Sequence, residues 1–88
     1  MNRYLVEFVS TLFFVYVILA TGNPLAIGAA LALAITLAGP VSGGHLNPAV
    51  SVVMAAAGKL EVTELAGYVV AQVLGGLVAL QIYKRYKL

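Results

Sequence analysis

Few residues of this 88-residue chain could do chemistry: three acids (Glu7, Glu61 and Glu64), one histidine (His45), serines at Ser10, Ser42 and Ser51, and no cysteine. None of them has the spacing of a nucleophile with its base or of a metal-ligand set, and no nucleotide-binding loop is present, so no enzyme, metal or cofactor is expected. The lack of cysteine rules out a disulfide framework and a thiolate site. One run is different: Ser42-Gly43-Gly44-His45-Leu46-Asn47-Pro48-Ala49-Val50. Its glycines allow a tight bend. Asn47-Pro48 then starts a helix with proline in the first turn, where the missing N–H costs nothing. A helix start offers unpaired N–H groups and the positive end of the helix dipole, which can hold an oxygen and repel a cation. The chemistry on offer is binding and passage.

The elements that must position this run are apolar. Hydrophobic residues make up 62% of the chain and charged residues 9%, and the mean hydropathy is +1.04, outside the range of soluble domains. A chain this short cannot hide that much apolar surface in a core of its own. Three apolar stretches run over about 4–20, 25–41 and 65–83, each 17 to 19 residues long. At about 1.5 Å per residue each just spans a hydrocarbon core of about 30 Å. Thr21-Gly22-Asn23-Pro24 joins the first two as a tight antiparallel hairpin.

The segment between the second and third stretches is too long for a turn. Its apolar part, Ala49 to Ala57, reaches only about half a membrane thickness as helix. We read about 42–57 as a re-entrant loop and half-helix: an extended entry, a short helix from Asn47-Pro48, a stop at Gly58, and a return to the interface through Lys59, Glu61 and Glu64. Irregular backbone survives at membrane depth only where protein buries it or a water-filled cavity solvates it. The expected fold is an all-α membrane protein, one unit over 1–88, with three transmembrane helices and one re-entrant half-helix. Small residues four apart, Ala26, Ala30, Ala34 and Ala38 and then Gly67, Ala71, Gly75 and Ala79, supply packing seams. The net charge of +2 is scattered, which suits contact with anionic lipid and not nucleic acid.

The run from Ser42 to Val50 resembles the Asn-Pro-Ala region of the aquaporin and glycerol-facilitator (major intrinsic protein) family. Glu7 in the first stretch and Ala71-Gln72-Val73-Leu74-Gly75-Gly76 in the third fit the same pattern. The resemblance covers nearly the whole chain and matches the first of the family's two repeats. It implies a pore built from two inverted repeats, so a one-repeat chain, a half-aquaporin, would complete the fold by antiparallel dimerisation with the two Asn-Pro-Ala motifs meeting near the midplane. By the same resemblance Asn47 is the central donor to passing water, and Pro48 and Ala49 fix the half-helix start. The carbonyls of Gly43, Gly44, His45 and Leu46 would form an acceptor ladder, with the His45 side chain in a structural hydrogen bond. Glu7 and Gln72 are implied as structural, Glu7 accepting from the loop backbone as a buried carboxylate must.

Where the family's filter carries an arginine after the second Asn-Pro-Ala, this chain has Val50. Counting back from Asn47 without gaps places the other filter positions at Ile27 and Ile35, so the expected constriction is the apolar set Ile27, Ile35 and Val50, sorting by size. The expected function is a passive channel for water and small neutral solutes such as glycerol, made by two copies, with four dimers, eight chains, implied by the resemblance. The alternative is a non-conducting interaction protein or accessory subunit that pairs with another half-channel chain. Arg3 and Lys59 on one side nearly balance Lys84, Arg85 and Lys87 on the other, which predicts dual topology in a cell membrane, inner or plasma.

Overall fold

The computed structural model describes residues 2–86, so Lys87 of the charge count lies outside the described residues. Four helices follow in order: α1 (Arg3–Thr21), α2 (Pro24–Ser42), α3 (Pro48–Ala56) and α4 (Val62–Arg85). The starts of α1, α2 and α3 are capped by asparagine. Asn2 accepts from the Tyr4 and Leu5 amides, Asn23 from those of Leu25 and Ala26, and Asn47 from that of Ala49. Left-handed glycines, Gly22 and Gly43, close α1 and α2.

Helix α4 begins three residues before the apolar stretch and ends two after it, because hydrogen bonding continues through Val62-Thr63-Glu64 and Lys84-Arg85 where hydropathy alone marks a boundary. Helix α2 carries Pro40 inside it and still runs to Ser42, one residue past the expected end. Pro40 has no N–H for the carbonyl four residues back.

The three helices α1, α2 and α4 have 19, 19 and 24 residues and are each long and apolar enough to cross a membrane. The molecule measures 39 × 23 × 23 Å, close to a bilayer of about 40–45 Å with its headgroups. Large apolar side chains stand exposed on all three, among them Leu25, Leu37, Val70 and Leu77. In water such surface would drive aggregation, and in lipid it is at home.

Helix α1 lies in the middle, packed on α2 and α4, while α3 packs on α4; among the described residues α2 packs against neither α3 nor α4. Ala30, Ala34 and Ala38 are buried on α2, and Ala71, Gly75 and Ala79 on α4. The small-residue stripes therefore carry the seams. At Gly75 the approach is backbone to backbone, since a Cβ there would stand 2.5 Å from the Phe8 carbonyl oxygen of α1. Arg3 donates to both carboxylate oxygens of Glu64 and links the starts of α1 and α4, and the Tyr4 ring meets Tyr68 edge-on at 5.8 Å.

The neighbouring glycines make a test. A Cβ at Gly76 would meet only Val15 Cγ2, at 3.7 Å. Gly75→Ala is expected to cost about 1–3 kcal/mol by forcing two backbones apart, whereas Gly76→Ala should be neutral or slightly stabilising. Thermal unfolding of the two variants in detergent checks this, and equal melting would contradict the seam.

Candidate functional site

The stretch from Gly43 to Asn47 leaves helix geometry between α2 and α3. Gly43 (φ +92°) and Gly44 (φ +65°) are left-handed, as glycine readily is. A side chain at Gly44 would also press on the backbone of α2, because its Cβ would lie 3.2 Å from Ile35 Cα. Leu46 is left-handed as well, at φ +56°. For a residue with a Cβ that costs about 1–2 kcal/mol. Something must hold it there.

That something is Glu7. The side chain of α1 is fully buried, and its carboxylate accepts four hydrogen bonds. The Ser42 hydroxyl donates to Oε2 at 2.6 Å and the His45 amide to Oε2 at 3.0 Å. The Leu46 amide donates to Oε1 at 2.8 Å, and Gln72 Nε2 to Oε1 at 2.9 Å. The Gly44 amide turns the same way, donating to Ser42 Oγ at 3.2 Å. Three successive backbone N–H groups thus face the protein interior.

The carbonyls behave differently. Among the described residues no group donates to the carbonyl oxygens of Gly43, Gly44, His45 or Leu46. Carbonyls in an apolar surround need donors, so these four need donors from outside the described residues. They belong to residues lining a groove of about 380 Å³, with Asn47, Ile35 and Val50 and with Phe14, Leu31 and Met54. Asn47 Oδ1 is taken by the Ala49 amide at 2.7 Å, and among the described residues nothing accepts from its Nδ2. The groove thus holds free acceptors and one free amide donor, on otherwise apolar side chains.

The site is tied to α3 and α4 by a second set of bonds. Gln72 Nε2 also donates to Ser51 Oγ at 2.9 Å, and His45 Nδ1 lies 2.8 Å from the same oxygen. While accepting from Gln72, Ser51 Oγ keeps one proton and a second lone pair, so the tautomer of His45 sets which of the two donates. The Gln72 amide can be oriented only one way, because its oxygen in place of nitrogen would face the Glu7 carboxylate. The Tyr68 hydroxyl donates to the Ser42 carbonyl at 2.7 Å, and its ring lies 4.9 Å from that of His45.

Of the residues singled out from sequence, the structure brings Gly43, Gly44, His45, Leu46, Asn47, Ile35 and Val50 together on the groove. Pro48 and Ala49 form the first turn of α3 beside it, and Glu7 and Gln72 stand behind the loop. Ile27 is half-buried and is not among the groove-lining residues; it lies on the same stripe of α2 as Leu31 and Ile35, two turns from the latter. Sequence reasoning missed Ser42, Ser51 and Tyr68 as partners of the loop. A signal existed in their spacing, since Tyr68 precedes Gln72 by four residues and Ser51 follows Asn47 by four, which places each pair on one helix face. It also missed Phe14, Leu31 and Met54. Among the described residues no group of three or more His, Asp or Glu side chains is placed to hold a metal ion.

A family model described as "Major intrinsic protein" matches residues 21–87. Among curated proteins, the chain is 41% identical over 88 residues to "Glycerol uptake facilitator protein-like 6" of Lactiplantibacillus plantarum, covering 90% of this chain and 41% of that protein. It is 49% identical over 55 residues to "Aquaglyceroporin AqpS" of Rhizobium meliloti, covering 62% and 24%, and 34% identical over 93 residues to "Aquaporin Z" of Rhodopseudomonas palustris, covering 89% and 39%. The chain thus spans less than half the length of these relatives. No solved structure matches it.

The loop's dependence on one carboxylate can be measured. Glu7→Gln keeps the size but turns an NH₂ group toward donors, so at least one charge-assisted bond is lost, worth about 1.5–3 kcal/mol. The variant should melt earlier in detergent than the parent chain. Unchanged melting would show that the loop does not rely on Glu7.

Proposed function

We propose that this chain, which belongs to the major intrinsic protein family, is half of a passive channel for water and small neutral solutes, completed by a second copy in the opposite orientation. The division of the loop's polar groups supports this most directly: its N–H groups are spent on Glu7 and Ser42, and its carbonyls, with the Asn47 amide, are left for something in the groove. A path that strips hydration from a neutral solute must return hydrogen bonds, and a fixed row of acceptors with one donor can do so. In this reading α3 is a re-entrant half-helix whose start points to the membrane centre. Two such starts, facing each other across a dyad, present positive dipole ends to any cation or proton.

One copy leaves its groove open, since α2 and α3 do not close on each other. An open carbonyl row in lipid would be costly, which is why we assign the missing wall to an inverted copy of the same surface. The pair, in groups of four, would give eight chains in an inner or plasma membrane. The named functions of the relatives, glycerol uptake and water or glycerol channels, fit the neutral solute class.

Proteoliposomes containing only this chain should shrink faster than empty ones under an osmotic step. Asn47→Asp is the informative variant, because its carboxylate can still cap the Ala49 amide and so preserve α3 while the lumenal donor is lost. Water flux should fall, or a cation leak appear, at unchanged size on a sizing column. Parent and variant with the same flux and selectivity would remove Asn47 from the mechanism.

A further inference from the structure

We propose that Phe14, on α1, sets the upper size of the solute that passes, an inference that rests on the half-channel reading above. The groove wall has two kinds of surface. The segment Gly43–Asn47 is backbone, pinned by the His45 and Leu46 amides to a fully buried carboxylate and packed so close to α2 that a Cβ added at Gly44 would lie 3.2 Å from Ile35 Cα, so it cannot step back to admit a wider solute. The free width is therefore decided by side chains, the Asn47 amide and an apolar set of five, Phe14, Leu31, Ile35, Val50 and Met54.

Among those five, Phe14 is the largest and the only aromatic ring, and it is the only one supplied by α1. Its backbone is the least able to move. Helix α1 is held between α2 and α4, with Thr11 one turn before Phe14 buried against Gly75, and Glu7 two turns before it tied to the loop. Leu31 and Met54 are flexible or branched aliphatic chains that yield by rotation, while a phenyl ring pivots about two bonds and keeps its bulk. Ile27, the position counted back from Asn47, is not on this wall. In a pore closed by an inverted copy, each half contributes one Phe14, so a solute meets two such rings.

The test compares water and polyol fluxes in proteoliposomes of the full chain and its variants, with glycerol and xylitol as the solutes. Phe14→Ala should raise the xylitol-to-water ratio several-fold, Phe14→Leu by less, and Phe14→Trp should lower the glycerol-to-water ratio below that of the parent. Should Phe14→Ala fail to insert, Phe14→Leu and Phe14→Trp still read the ratio in opposite directions. Ratios that do not move across the three variants overturn the proposal. So does an Ile27→Ala shift as large as that of Phe14→Ala, which would return the size filter to Ile27. Parent vesicles that pass no more water than empty ones would overturn the half-channel reading itself, whereas parent conduction with unmoved ratios overturns the role of Phe14 alone.

Discussion

Backbone that leaves helix geometry inside an apolar molecule exposes amides that lipid cannot satisfy, and in this chain one carboxylate answers for most of them. Glu7 accepts from two consecutive loop amides, from Ser42 at the end of α2 and from Gln72 on α4. Because its four donors come from three places, the same group that pays for the loop also fixes α2, the loop and α4 to α1. The left-handed Leu46 is held by the hydrogen bond its backbone N–H donates to Glu7 Oε1. A chain with a neutral apolar residue at position 7 would leave several buried donors unmet at once.

The helix packing serves that constraint. Glu7 can reach Gln72 and the loop together only if α1 and α4 run close, and the glycine at 75, with Phe8 carbonyl against it, permits the approach. The buried alanines of α2 do the same on the other flank. Close packing on these two sides leaves the third side open, where the loop's carbonyls and the Asn47 amide line the groove. The open side is what distinguishes the molecule from a finished bundle, and it is the reason a second, inverted copy is proposed.

Much of this was legible in the sequence. The three long helices follow from apolar runs of membrane length, and the break between them from Gly43, Gly44 and Asn47-Pro48, whose backbone preferences are local. Glu7 and Gln72 stood out as polar residues in apolar helices, which must find partners. The boundaries of α4 were not legible, because hydropathy stops at the apolar limit while helical hydrogen bonding continues through polar residues. The groove wall was read only in part. Ile35 and Val50 line it, but a gapless count to Ile27 says nothing about how far along α2 the groove extends, and Phe14 on α1 lies far from the motif in sequence. Tyr68, Ser51 and Ser42 escaped for the same reason, since hydrogen bonds between residues 21 to 35 apart depend on the tertiary packing.

The central claim, that two oppositely oriented copies meet at the starts of α3, can be tested on a chain with no native cysteine. A single Ala49→Cys substitution places a thiol in the first turn of α3, beside Asn47, and a short bis-maleimide added to intact membranes reports whether two such turns are neighbours. The account predicts a covalent dimer whose two carboxy-terminal tags are digested by protease from opposite faces of the membrane. Cross-linked dimers with both tags on one face, or a chain that conducts water while no cross-link forms, would contradict it.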